Sequence, residues 1–498
     1  MGLLQMKLLV KPPSFFSQIK HHSALHPDEP AIVADGISLT YLDLFRLILV
    51  CASILKNNSI SQKSIIGISI DDEVLHLICS LTLLALGAKQ VNLATHDPQS
   101  VRIQLAEYVG VTDVLAVDEK YRLTNTGLVL LSAEMIFSHT GSLDKENLTL
   151  STGHLEEQIY LRTSGTTGGL SIVRFTQEQI ASQALRYSHY ATERVLLPAS
   201  IEHNNSKRHR LYTCFMGGTA VFRSPSSFSL PECCHRHNVT LIDISKLHAA
   251  NLIWASSTCA LDFPVTTKLA VGGSIVPSEL RQQISKSVTT ELSIIYGATE
   301  FGSVSTTNPN THKVSESVGL PMNGVEVEIV DQNDKIMPSD MRGYVRLRAE
   351  GMATHYFKDP EKSARTFKDG WFYPGDMGSI KNNGELIIHG RQDDMIILNG
   401  INISPIEIES ALEFHPAVKI AAAVGLSSSV HGQIPVAAVE LYSNAVITAA
   451  ELQAYSYKKL ALRAPRKVLI LDSLPTNEMG KVLKYKLSVL FSTEHLNE

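Results

Sequence analysis

The sequence predicts an α/β fold built on a largely parallel sheet, and two observations carry that expectation. Through the first part of the chain, short runs of β-branched residues alternate with longer stretches of helical spacing. With 498 residues, 44% of them hydrophobic and 19% charged, the chain is also long enough for large buried cores in more than one domain. A net charge of −5 gives no reason to expect nucleic acid as the main partner. Six cysteines without a C-x-x-C pair indicate neither a zinc site nor a disulfide framework, so reduced thiols in a cytoplasmic protein are expected. Lys7 interrupts the apolar N-terminus and no small-residue cleavage pattern follows, which argues against a signal peptide. The most apolar run, residues 74–88, is too short to span a bilayer, so no transmembrane segment is expected. It reads as a buried helix begun by Asp71-Asp72-Glu73 and stopped at Gly87.

Taken in order, residues 31–33 and 38–40 read as a hairpin around Asp35-Gly36, and residues 41–55 have helical spacing. Strands are expected at 65–70, 91–93 and 113–117, with a helix over 98–109. Residues 123–153 are polar and read as an irregular connection. Further strands are expected at 158–162, 172–175, 240–244 and 267–271, with a helix from Thr176-Gln177-Glu178-Gln179, a capping-box spacing, to about residue 187.

Four stretches carry chemistry. Thr163-Ser164-Gly165-Thr166-Thr167-Gly168-Gly169 joins two strands with nothing but glycines and hydroxyl residues. Glycine lets backbone N–H groups turn inward and the hydroxyls add donors, an array suited to a polyphosphate. It is no Walker loop, because no Gly-Lys-Ser/Thr ends it. Next, a buried strand runs into Tyr296-Gly297-Ala298-Thr299-Glu300, offering a ring to stack on a planar base and a carboxylate for a hard cation such as Mg2+. Third, Asp376 sits in a Pro-Gly-Asp turn where a carboxylate can accept from a diol, and Arg391 closes a hairpin turning at Asn382-Asn383-Gly384. Last, Lys481 follows Gly480 in a turn-forming segment.

In order and spacing these stretches resemble the adenylate-forming superfamily of acyl-CoA synthetases, peptide-synthetase adenylation domains and luciferases. The resemblance runs from about residue 25 to residue 487. It implies a large N-terminal AMP-binding domain of layered sheets and helices (residues 1–391) and a small mobile α+β C-terminal domain (392–498), with Asp393 as hinge. By that similarity Thr163 and Ser164 to Gly168 would embrace the ATP phosphates. Gly272, Gly273, Ser274, Tyr296 and Gly297 would line the adenine. Thr299 would meet the α-phosphate and Glu300 the magnesium ion. Asp376 and Arg391 would take the ribose hydroxyls, and Lys481 would bridge the substrate carboxylate and the α-phosphate. The implied activity is an ATP-dependent, AMP-forming acid–thiol ligase, most simply an acid–CoA ligase for a fatty or aryl acid. The alternatives are a stand-alone enzyme loading an acyl carrier protein through its phosphopantetheine, and a degenerate member binding nucleotide or acyl ligand without turnover.

His203 and Asn204 fall where the family lines its acyl pocket, and His203-Asn204 is similar to aryl-acid activating enzymes. The aspartate that grips an amino-acid amine is not evident, which disfavours an amino-acid substrate. The basic run Lys207-Arg208-His209-Arg210 reads as a solvated helix start; the sharper reading is a contact to a second anionic group. Two departures from the family stand out. The phosphate loop lacks its lysine, with Leu170 and Ser171 in place of proline and lysine, and Asn399 replaces the lysine before Gly400. The first predicts weak, strongly magnesium-dependent ATP binding that Ser171→Lys would improve. Arg174 could stand in for the lysine only if its strand register turns it toward the site.

Overall fold

The structure is a computed structural model and describes residues 11–138, 157–163, 170–223, 229–258, 262–309, 316–428, 430–443, 445–476 and 481–494. Among these residues the first sheet has six strands. Gly127–Leu130, Asp113–Ala116, Ile65–Ser69, Lys89–Asn92 and Glu157–Thr163 lie side by side and parallel; Ser171–Thr176 closes the row antiparallel. The helix Glu73–Leu86 packs on this sheet as the apolar run predicted, with Asp72 as its N-cap and Gly87 as its C-cap. Thirteen of its residues are buried, which explains an apolar surface all round rather than along one stripe. Two local expectations change. Residues 127–137 are not irregular: Leu128-Val129-Leu130 adds an edge strand and Ala133–Phe137 is a short helix, because a sheet edge can recruit a short apolar run. The helix after Thr176 has its capping box but is α only over Gln177–Ala184, continuing as a tighter 3-10 segment, Leu185–Thr192, bent at Tyr187.

The second sheet changes character midway. Ile37–Thr40 and Pro30–Ala34 form the expected hairpin at one edge. From there Thr219–Val221, Arg194–Leu196, Leu241–Ser245, Lys268–Gly272 and Leu292–Ala298 run parallel. Beyond residue 298 the pairing turns antiparallel through Gly302–Thr306, Ser317–Pro321, Leu386–Arg391 and Asp376–Ile380. Short turns join Leu292–Ala298 to Gly302–Thr306 and Asp376–Ile380 to Leu386–Arg391, connections that only antiparallel neighbours allow. In the parallel half, Ser245 lies beside Gly272 and Val271 beside Ile294, so several strands end at one edge. Crevices outside the carboxyl ends of parallel strands are where such sheets bind ligands.

From residue 396 the chain builds a smaller sheet, in which Ile401–Ile403, Ile396–Leu398, Gly432–Leu441 and Val418–Ser428 pair antiparallel and Lys467–Leu471 adds in parallel. Pro405–Glu413, Ala449–Leu460 and Lys484–Glu494 are its helices. Lys246 of the larger part reaches Glu413 with both carboxylate oxygens at 2.8 Å, tying the two parts together. Among the described residues no helix is long and apolar enough to cross a membrane.

Candidate functional site

The strand Leu292–Ala298 delivers Tyr296 to the common edge, where its hydroxyl donates to Asp376 Oδ2 at 2.5 Å. Asp376 pairs across its hairpin with Arg391, whose Nη1 is 3.7 Å from Asp376 Oδ1 and donates to the Pro374 carbonyl at 2.9 Å. Gly375 sits at φ +82°, and a Cβ there would come within 2.9 Å of Arg391 Nη2, so the Pro-Gly-Asp turn needs glycine twice over. Burial lifts the Asp376 carboxyl above its usual range, against the Tyr296 hydroxyl and the charges of Arg391 and Lys481, which hold it down. Three groups from two separate motifs of the sequence therefore meet.

The turn after that strand carries Thr299 and Glu300. Gly297 is required here because a Cβ would meet the Gly302 carbonyl oxygen at 2.6 Å. Arg208 Nη1 donates to the Thr299 carbonyl at 3.0 Å and the Ala353 N–H donates to the Glu300 carbonyl at 2.7 Å, pinning the turn from both sides. Glu300 Oε1 accepts the Tyr356 hydroxyl at 2.7 Å. Gly273 and Ser274 are exposed just beyond the end of Lys268–Gly272, at the same edge.

Lys481 comes from the smaller part. It presents its side chain to the cleft, yet the protein mass around it and the charge of Arg391 pull its ammonium below the ordinary lysine value, while Asp394 and Asp376 pull it up. Asp393 is exposed between the two parts, 3.5 Å from Arg391 Nη2. Of the phosphate loop, Thr163 is buried at its strand end, paired with Ser171. Ser164, Gly165, Thr166, Thr167 and Gly168 lie outside the described residues.

His203 is the N-cap residue of the helix Asn204–Met216, its ring 5.6 Å from that of His96. Asn204 Nδ2 donates to the Arg162 carbonyl at 2.5 Å. The basic run behind them is not a solvated helix start. Lys207, Arg208, His209 and Arg210 are all buried, because this helix is packed on every side. Lys207 donates to Asn92 Oδ1 at 2.7 Å and Arg210 to Glu73 at 2.7 Å, while His209 lies 3.1 Å from Asp243. Arg208 serves the site turn instead. Charge density alone gave no sign of this, since the run has no apolar face to betray burial.

The sequence reading missed Tyr356 and Lys362. Lys362 donates to Ser171 Oγ at 2.8 Å and lies 4.1 Å from the centre of the Tyr356 ring. The Asp359-Pro360-Glu361 helix start was the available signal for the segment, though not for its location. Arg174 lies on the face of its strand opposite Ser171 and donates to His355 at 2.7 Å, lining a different cleft with Lys89 and Thr354. The register question left by the sequence is thereby answered against Arg174.

Layered sheets that converge on such an edge, with a small α+β unit bringing in a lysine, make this an adenylate-forming fold. The chain belongs to the AMP-binding enzyme family: that family's model matches residues 19–357, and the AMP-binding enzyme C-terminal domain matches residues 407–481. It is 25% identical over 501 residues to the 2-succinylbenzoate–CoA ligase of Bacillus subtilis, covering 96% of this chain and 98% of the relative. It is 29% identical to the mitochondrial medium-chain acyl-CoA ligase of Rattus norvegicus, in an alignment covering 65% of this chain and 56% of that protein. Among solved structures, the Bacillus subtilis o-succinylbenzoate CoA synthetase in complex with its acyl-adenylate superposes with a TM-score of 0.83 at 23% identity, covering 95% of this chain and 98% of the other. ATP-bound MatB from Rhodopseudomonas palustris gives 0.84 at 22%, covering 96% and 99%. At those identities the likeness speaks for the fold.

Proposed function

We propose that the protein uses ATP to activate a fatty or aryl carboxylic acid and passes the acyl group to the thiol of CoA. The observation that carries this reading is the meeting of Tyr296, Asp376, Arg391 and the cation of Lys481 at one strand edge. In the first half-reaction a carboxylate oxygen attacks the α-phosphorus and pyrophosphate leaves. Lys481 sits where a cation can touch both anions, and such a charge placed in advance lowers the barrier electrostatically. Asp376 and Arg391 hold the ribose, Tyr296 with Gly272, Gly273 and Ser274 borders the base, and Thr299 meets the α-phosphate. Glu300 fits a hard divalent cation: one of its oxygens accepts from Tyr356, and a magnesium site completed by phosphate oxygens needs only one or two protein ligands. When bound, that ion neutralises charge on the leaving pyrophosphate. In the second half-reaction a thiolate attacks the acyl carbonyl and AMP departs.

Residues 392–498 act as the mobile unit in this reading, with Asp393 as its hinge. A lysine that must be delivered and then withdrawn belongs on such a unit. A carrier protein as thiol acceptor is the second reading, supported by a 30% match over 234 residues to a fatty acid–acyl-carrier-protein ligase of Streptomyces coeruleorubidus. The test is pyrophosphate exchange across fatty, aryl and amino acids, followed by thioester analysis with CoA and with a carrier protein. Exchange with fatty or aryl acids and a CoA thioester support the reading. Exchange with none of them moves the protein to a binding role without turnover.

A further inference from the structure

We propose that Lys362, on the short helix Pro360–Thr366, supplies the cation for the β- and γ-phosphates of ATP that the phosphate loop of this chain lacks. The inference rests on the ATP-dependent reading above and assigns one more residue to the same site. Ser171 occupies the position where the family resemblance expects a lysine. Its hydroxyl is buried and accepts from Lys362 Nζ at 2.8 Å, across 191 residues of sequence. Serine at 171 brings no charge of its own, and the ammonium meets its hydroxyl from another element.

The segment bearing Lys362 is built to hold it there. Tyr356 pairs with Val173, and the Phe357 N–H donates to the Ile172 carbonyl at 2.7 Å, fastening the segment to the strand that begins at Ser171. Asp359 caps the helix through the Lys362 N–H, and Ser363 donates to the Asp359 carbonyl at 2.6 Å. The ammonium rests on the Tyr356 ring, 4.1 Å from its centre, and the hydroxyl of that ring donates to Glu300. Ser171, Lys362, Tyr356 and Glu300 thus form one connected row from the start of the post-loop strand to the proposed magnesium ligand. Among the described residues Lys362 makes no ion pair, and the Ser171 oxygen is a neutral acceptor that a phosphate oxygen can replace. The charges acting on it are Glu300 first, then Asp359 of its own helix cap, then Arg391 and Arg365.

This arrangement changes the expectation for Ser171→Lys. With Lys362 already present, a second ammonium beside it brings repulsion, so the single substitution gives no gain in ATP affinity. The experiment is calorimetric titration of the full-length protein with ATP and with AMP at fixed magnesium. The variants are Lys362→Met, Ser171→Lys and the double variant; methionine keeps an apolar stem over Tyr356. Loss of a charge-assisted contact should weaken ATP binding by roughly ten- to a hundredfold in Lys362→Met while AMP affinity stays within about twofold. The double variant should recover most of the ATP affinity, because its lysine returns from position 171. Equal weakening of ATP and AMP, unchanged ATP binding, or no recovery in the double variant would overturn the assignment alone. A wild-type protein that binds neither nucleotide would overturn the reading beneath it as well.

Discussion

Two groups of basic residues in this protein make opposite use of charge. Lys207 to Arg210, on the helix Asn204–Met216, are enclosed, and their hydrogen bonds run to Asn92, Glu73, backbone carbonyls and buried tyrosines. Lys362, Arg391 and Lys481 stand around the cleft, where Asp376, Glu300 and Asp394 set the local field. The first group is tied into the fold by its hydrogen bonds; the second is the one that the proposed function gives to an anionic ligand. Successive helix positions differ by about 100°, so four consecutive basic residues can all be buried only if the helix is covered on every side. Arg208 links the two groups, being enclosed like its neighbours but fastening the turn of Thr299 and Glu300.

The sharpest way to break this contrast is to remove one cation from each group. Lys481→Ala should raise the barrier to adenylate formation by about 3 kcal/mol or more, read as pyrophosphate exchange. Its unfolding free energy should stay within about 0.5 kcal/mol of wild type, and thioester formation from supplied acyl-adenylate should survive. A Lys481→Ala protein exchanging pyrophosphate at near wild-type rate would remove the residue from the chemistry. Arg210→Met should do the reverse. It strands Glu73 and the carbonyls of Leu197 and Ala199, and should lower unfolding free energy by about 3 kcal/mol in urea titrations. A variant as stable as wild type would show that the enclosed run contributes nothing to the fold.

A smaller effect separates the groups by pH. Burial lowers the Lys207 ammonium to about 7, against an ordinary value of 10.5. Between those values the unfolded chain binds more protons at this residue than the folded one, so its contribution to stability rises with pH. Below about 7 both states are protonated and the dependence vanishes. The slope reaches at most about 1.4 kcal/mol per pH unit and should disappear in Lys207→Met. An unchanged slope in that variant would mean that other groups set the profile.

The smallest expected effect concerns the hinge proposed at Asp393. Limited proteolysis should cut at residues 392–394, where Gln392 and Asp393 are exposed, before elsewhere, although the Lys246–Glu413 pair crosses between the parts. Asp393→Pro, which fixes φ, should slow one half-reaction severalfold more than the other. Equal losses in both would argue against a hinge at this position.

Much of the architecture was legible without coordinates because local chemistry dictates it. Asp72 and Gly87 bound an apolar run that can only be a buried helix, and Asn382-Asn383-Gly384 closes a hairpin that sets Asp376 against Arg391. The motifs around Tyr296, Glu300, Asp376, Arg391 and Lys481 were likewise readable, since each lies within a few residues of its own turn signal. What sequence alone could not decide was which distant groups meet. The strand register turned Arg174 away from Ser171, and long-range packing brought Lys362 to it. The enclosure of Lys207 to Arg210 depended on the elements packed around their helix, not on the helix. Turns and caps are decided by neighbours in sequence. The surroundings of a charge are decided by neighbours in space, which only the folded chain supplies.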